Sequence, residues 1–241
     1  MKRFGIIGNP VAGSLSPVLF KAAYNGRYPY DLIEEPDFEA AWARFLADYH
    51  GVNVTAPYKQ EAFARVNIAS EEARRCEAVN LVVKTERGLV GYNTDVYGVK
   101  GAIRNIPAQT LVVGTGGAAR AAIVAAQSSD SAVTVAGRNP VKTAALAEAL
   151  GCRGLSLEEA AGERPDLIIY TLPGSAPVPS GLPFSGAVVL EAEYKTPRLA
   201  RVPCREYIGG KHWLVYQALC GYSLFTDEEP SAENLWQAIF Y

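Results

Sequence analysis

The stretch that decides the fold reads Leu111-Val112-Val113-Gly114-Thr115-Gly116-Gly117-Ala118-Ala119-Arg120. A short apolar strand runs straight into G-x-G-x-x-A, and helical periodicity follows over 118–129. Gly114 allows the tight turn, Gly116 lets a phosphate approach the backbone, and Ala119 is small enough for close helix–strand packing. The helix N-terminus, with Gly117 and Ala118 in its first positions, supplies amide donors and the positive end of the helix dipole. A glycine pattern alone is weak evidence, and a tight turn that binds nothing would use the same residues. The strand–turn–helix setting is what points to a dinucleotide.

The next strand discriminates between nucleotides. About 20 residues on, a site built for NAD would place an acid against the ribose 2′-hydroxyl. Here Val133-Thr134-Val135-Ala136 runs into Gly137-Arg138-Asn139-Pro140, with Lys142 a step further and no acid. A planar guanidinium can stack on adenine and pair with a 2′-phosphate. Arg138, Asn139 and Lys142 are therefore expected to favour NADP(H). The alternative is that Arg138 and Lys142 are solvated charges at a helix start.

Outward from this turn, short β-branched runs alternate with helical segments, which argues an α/β chain with mostly parallel strands. Strands are expected near 3–8, 29–34, 51–55 and 79–85, with a glycine-turn hairpin over 81–92. Helices are expected at 16–26, 37–48, 58–66 and 95–106, the first opening with Ser16 as N-cap and Pro17 at its first position. Beyond Gln109 come strands at 132–136, 167–171 and 187–191, and a helix at 141–150 closed by Gly151. The tail 212–240 reads as two helices broken around 226–230. Two α/β lobes result, residues 1–98 joined by the returning segment 213–241, and residues 99–212.

The 241 residues are 49% hydrophobic and 20% charged, a balance that excludes a disordered chain. Lys and Arg number 23 against 25 Asp and Glu, for a net charge of −2. Nucleic acid and anionic membrane thus have no electrostatic footprint, and composition leaves a protein whose partner is a small molecule, or an interaction domain. The apolar run in MKRFGIIGNP stops at Asn9-Pro10, too soon for a signal-peptide core. The uncharged stretch Leu167–Leu190 contains four prolines and three glycines, so it is no spanning helix. Cys76, Cys152, Cys204 and Cys220 are widely spaced, which reads as reduced thiols, a cytoplasmic chain and no metal site.

The first lobe carries a polar constellation. Gly13-Ser14-Leu15-Ser16-Pro17 sets two hydroxyls at a helix start, an acceptor site for a carboxylate or phosphate. Asn53-Val54-Thr55-Ala56-Pro57-Tyr58-Lys59 ends a strand with Asn53 and Thr55 on one face. Lys59 then falls in a first helical turn, a place that disfavours a cation and suits proton transfer. Asn80 opens an apolar run, and Asp95 ends Gly91-Tyr92-Asn93-Thr94-Asp95 at a helix start. Each has a bland reading as a cap or a surface charge, and their weight comes from being taken together.

In order and spacing, GNPVAGSLSP, GVNVTAPYK, AVN, GYNTD, VVGTGGAAR, AGRNP and WLVYQAL resemble the shikimate dehydrogenase family over nearly the whole chain. The resemblance implies an N-terminal α/β substrate domain plus a Rossmann-like NADP-binding domain, and NADPH-dependent reduction of 3-dehydroshikimate to shikimate. It implies Ser14, Ser16 and Thr55 at the substrate carboxylate, Asn80 and Gln217 at the ring hydroxyls, and Lys59 with Asp95 as the catalytic pair. It leaves the oligomeric state open between monomer and homodimer. Several positions depart from the family pattern. Leu190 of Leu190-Glu191-Ala192-Glu193-Tyr194 stands where a tyrosine is usual, and Leu172-Pro173-Gly174 where many members read A-T-S. Lys142 replaces a second arginine, and Lys211-His212-Trp213 replaces a glycine-rich approach to the last long helix. Two rival readings follow: a dehydrogenase with relaxed use of quinate or NAD, and a noncatalytic NADP-binding regulator.

Overall fold

The computed structural model describes all residues from Met1 to Tyr241. The chain divides into two compact units, Met1–Thr94 with Val215–Tyr241, and Asp95–Leu214.

The first unit is built on β1 (Phe4–Ile7), β2 (Tyr30–Ile33), β3 (Gly51–Val54), β4 (Ile68–Ala69), β5 (Leu81–Thr85) and β6 (Gly88–Tyr92), in sheet order β2-β1-β3-β5-β6-β4. β1 pairs in parallel with β2 and β3, whereas β5 runs antiparallel to β3 and to β6. All four residues of β1 and of β3 are buried, the continuous apolar run expected of strands covered on both faces. α1 (Ser16–Ala23) ends where Asn25 and Gly26 take left-handed backbone, φ 51° and 73°, three residues short of the expected 26. α2 (Phe38–Asp48) is capped by the Asp37 carboxylate, which accepts from the Ala40 amide at 2.9 Å. It buries Phe38, Ala41, Trp42 and Phe45, spaced at three and four, against Val52, Val54 and Tyr58. Phe4, Phe20, Tyr24, Tyr222 and Phe225 form a second aromatic cluster between β1, α1 and the returning segment.

α3 is only Lys59–Phe63, not 58–66. The chain leaves it so that Asn67 can donate to the Leu89 carbonyl and β4 can pair with β6. That two-residue strand, and α4 (Glu71–Cys76) capped by Ser70, have too little periodicity to show in the sequence.

The second unit opens with α5 (Asp95–Ala102), shorter than the expected 95–106. It continues through β7 (Gln109–Val113), α6 (Gly117–Gln127), β8 (Ala132–Gly137), α7 (Pro140–Leu150), β9 (Arg153–Ser156), β10 (Leu167–Tyr170), β11 (Val188–Glu191) and β12 (Glu206–Gly209). Every pairing is parallel, in the order β12-β11-β10-β7-β8-β9. The order reverses between β7 and β10, and in open α/β sheets ligands bind outside the strand carboxyl ends at that point. α8 (Gly210–Thr226) carries the chain back into the first unit, where α9 (Ala232–Phe240) packs on α1. The division falls at 94/95 and 214/215, where the sequence suggested 98/99 and 212/213. α5 packs along its length on α6 and so goes entire with the second unit, and one continuous helix carries the later boundary.

Candidate functional site

In the first unit the carboxyl ends of β1 and β3 lie side by side. Thr55 donates its amide to the Ile7 carbonyl at 2.9 Å, and Asn9 donates to the Ala56 carbonyl at 3.2 Å. Gly8 permits this approach, because a Cβ there would overlap the Thr55 methyl. The turn that follows carries the two serines. Ser16 does not cap α1, as its sequence position suggested. The cap position is Leu15 with no side-chain bond, and Ser16 is the first helical residue. The Ser14 hydroxyl instead accepts the Ser16 amide at 3.3 Å and donates to the Ser16 hydroxyl at 3.2 Å. Ser16 is buried and Ser14 half-buried. Two linked hydroxyls beside the first-turn amides of an eight-residue helix form an acceptor site for an anion.

Asn53 has a structural part. It donates to the Asn80 carbonyl at 3.1 Å and accepts from the Tyr30 hydroxyl at 2.7 Å, both at a buried position. Thr55, two residues on, is half-buried, and Lys59, also half-buried, is the first residue of α3.

The buried polar centre of this unit is Asn80, Thr94 and Gln217. Asn80 Oδ1 accepts the Thr94 amide at 2.7 Å. Asn80 Nδ2 donates to the Thr94 hydroxyl at 3.0 Å and approaches Gln217 Oε1 at 3.4 Å. The Thr94 hydroxyl donates to Gln217 Oε1 at 3.2 Å. Sequence reasoning named the two amides but not Thr94, although it stands within Asn93-Thr94-Asp95 as the one hydroxyl able to join them.

In the second unit, Gly114 has φ 125°, and a Cβ there would overlap Thr171 Oγ1. Thr171 closes the carboxyl end of β10, donating both its amide and its hydroxyl to the Val113 carbonyl at 2.9 Å. Gly114 is thus demanded by backbone and packing. Gly116 is not, since a Cβ there would meet no atom within 4 Å. What its missing side chain leaves is open ground at the N-terminus of the eleven-residue helix α6, beside Gly117 and Ala118. At the end of β8, Arg138 and Lys142 are exposed, and neither side chain is engaged in an ion pair. Asn139 caps α7, its side chain accepting the Lys142 amide at 3.1 Å. Those features fit a dinucleotide with a 2′-phosphate: donors and open space for the pyrophosphate, free cations for the additional charge.

Asp95, the first residue of α5, is 8% exposed and accepts from Trp213 Nε1 at 3.2 Å. Leu190 is wholly buried within β11. Next to it the Glu191 carboxylate, also buried, accepts the Arg198 and Leu199 amides at 2.7 and 3.1 Å and the Tyr207 hydroxyl at 2.7 Å. Burial of Tyr207 and its bond to that carboxylate push the phenol far up. The Glu193 carboxyl is pushed up by burial, but amides of Gly174, Lys195 and Thr196 at 3.1, 2.7 and 3.3 Å together hold it below the usual carboxylate range. It ties the turn after β10 to the segment after β11.

A parallel sheet reversing at β7/β10, with a glycine-rich turn at the reversal, defines a two-unit α/β protein with a Rossmann-like nucleotide fold. Comparison with known proteins narrows this class. The model for the shikimate dehydrogenase substrate binding domain matches residues 6–82. A curated shikimate dehydrogenase (NADP(+)) of Thermus thermophilus is 36% identical over 260 aligned positions, covering 99% of this chain and 97% of that one. A crystal structure of the Thermus thermophilus shikimate 5-dehydrogenase in complex with NADP(H) and shikimate superposes with a TM-score of 0.85. It is 30% identical, with 99% of this chain and 98% of that one covered. Shikimate dehydrogenase from Aquifex aeolicus gives a TM-score of 0.87 at 25% identity, covering 100% and 98%. The chain belongs to the shikimate dehydrogenase family.

Proposed function

We propose that the chain catalyses the reversible NADPH-dependent reduction of 3-dehydroshikimate to shikimate through Lys59 and Asp95. One observation carries the assignment of residues: Asn80 and Gln217, 137 residues apart, meet with Thr94 in a single buried hydrogen-bonded group immediately before Asp95. Packing alone does not explain one amide buried just before β5 and another buried on α8.

When bound, NADPH supplies the hydride to the C3 carbonyl. Gly114, Gly116, Gly117 and Ala118 would hold its pyrophosphate on the α6 amides, and Arg138 and Lys142 its 2′-phosphate. The Asn139 side chain contributes by fixing the start of α7 between the two cations. Lys59 supplies a proton and a positive charge to the C3 oxygen as negative charge develops there. Asp95 holds the neighbouring C4 hydroxyl. Ser14, Ser16 and Thr55 bind the carboxylate. They carry that task without help from residue 190, where a buried leucine has no donor to offer. No helix is long and apolar enough to cross a membrane. The four free cysteines suit a reducing, cytoplasmic compartment.

Following NADPH absorbance with the purified protein tests the reading. Shikimate or quinate is offered with NADP or NAD. Turnover chiefly with shikimate and NADP, lost in Lys59→Ala, is the expected result. Binding of NADPH and shikimate without turnover would instead establish a regulator, and strong activity with quinate or NAD would rewrite the specificity.

A further inference from the structure

The approach to the last long helix departs from the family pattern, and there Trp213 reaches Asp95. The indole is 5% exposed, and its Nε1 donates to Asp95 Oδ1 at 3.2 Å. An indole has one donor and no acceptor, so this bond is the only one the ring can make. Three residues along α5 from Asp95, and hence on the same helix face, is Gly98. A Cβ at Gly98 would overlap indole Cδ1 and come within 2.9 Å of both Nε1 and the Trp213 carbonyl oxygen. Gly98 is not among the glycines with positive φ, so its backbone does not call for glycine. Glycine inside a helix weakens it; at this position its absent side chain is the slot in which the indole lies. One turn of α5 thus presents an acceptor and a notch, and a single ring fills both.

We infer that Trp213 is a positioning residue for the reaction: its N–H holds the Asp95 carboxylate in one orientation toward the substrate hydroxyl, and Gly98 keeps the slot open for it. The inference rests on the reading of Asp95 as a substrate-contacting residue. A carboxylate with two equivalent oxygens and a rotatable stem has several orientations. Anchoring one oxygen to a packed ring fixes the direction in which the other points.

A double-mutant cycle tests it, using Trp213→Phe, Asp95→Ala and the double variant. Steady-state kcat/KM for shikimate is measured for each, with shikimate affinity by calorimetry and thermal midpoints alongside. Phenylalanine retains an aromatic ring and deletes the donor. The expected loss in kcat/KM for Trp213→Phe is about 10–100-fold in the wild-type background, the range for a hydrogen bond to a charged group. In the Asp95→Ala background it should be less than about 3-fold, because the acceptor is gone. Equal losses in both backgrounds, or full activity in Trp213→Phe, would overturn the inference while leaving Asp95 in its role. Full activity in Asp95→Ala would overturn the role of Asp95 itself. Should Trp213→Phe not fold, the indole N–H resonance of Trp213 decides the matter. It is expected downfield in the wild-type protein and shifted upfield in Asp95→Ala, and an unmoved resonance overturns the inference.

Discussion

Replacing Thr94 by valine isolates what its hydroxyl does. The two side chains have nearly the same shape, so the 1% exposed site is neither emptied nor overfilled. The Thr94 amide keeps its 2.7 Å bond to Asn80 Oδ1, and the start of α5 is held as before. What disappears is the acceptor for Asn80 Nδ2 at 3.0 Å and the donor to Gln217 Oε1 at 3.2 Å. Between themselves the two amides then have only their approach at 3.4 Å, too long to replace both bonds. Leaving about one buried polar group unpaired costs about 1–3 kcal/mol. At about 2–4 °C per kcal/mol for a protein of this size, the melting midpoint should drop by about 2–12 °C. Asn80 and Gln217 also lose the group that aligns them, so KM for shikimate should rise while KM for NADP stays within about 2-fold, the residues proposed to bind the nucleotide being in the other unit. Thr94→Ser, which keeps the hydroxyl and loses a methyl, should preserve KM for shikimate. Thermal denaturation and steady-state kinetics on the three proteins check this. A Thr94→Val protein with unchanged midpoint and unchanged KM for shikimate would refute the view that this hydroxyl joins the two amides.

The remaining predictions concern the second unit. Arg138→Ala should raise KM for NADP by about 10–100-fold, the worth of a charge-assisted bond to phosphate, with KM for NAD nearly unchanged; equal effects on both would remove the phosphate role. Gly114→Ala, which combines a positive φ with overlap on Thr171, should lower the urea midpoint by more than about 1 kcal/mol in stability. Gly116→Ala, with open space around its Cβ, should leave the midpoint alone and weaken NADP binding in a fluorescence titration. Glu193→Gln should destabilise the protein at neutral pH and lose this effect in acid. The folded-state pKa of Glu193 lies below its unfolded value of about 4.3. Its contribution is therefore present above that value and disappears as pH falls through the folded pKa, so a stability gap that persists once the carboxyl is protonated would contradict the assigned bonds.

The nucleotide fold could be read from Leu111–Arg120 because its demands are local. A buried strand, a turn needing positive φ and a helix start lie within ten residues, and each restricts residue type at one position. The same holds for Gly151, which closes α7 in left-handed backbone at φ 61°. Where a short element depends on distant pairing, the sequence was silent. β4 exists because Ile68 and Ala69 meet Val90 and Gly91, and β12 because Tyr207 and Ile208 meet Val189 and Leu190. Neither has enough residues to show a period.

The polar residues divide along the same line. Ser16 and Asp95 were visible as residues that favour helix starts, and a helix-start preference does not reveal the partner. Ser16 has its hydroxyl joined to Ser14 and does not act as a cap; Asp95 takes a bond from an indole 118 residues away. Glu191 shows the limit most sharply. Beside an unexpected leucine, a glutamate in an apolar strand reads as a departure. Its carboxylate in fact has three donors from segments 7 to 16 residues downstream, so it shapes the chain after β11. A buried carboxylate with three short bonds is costly to remove, because its partners would be left unpaired. Glu191 is therefore tied into the fold, one residue on from the buried Leu190.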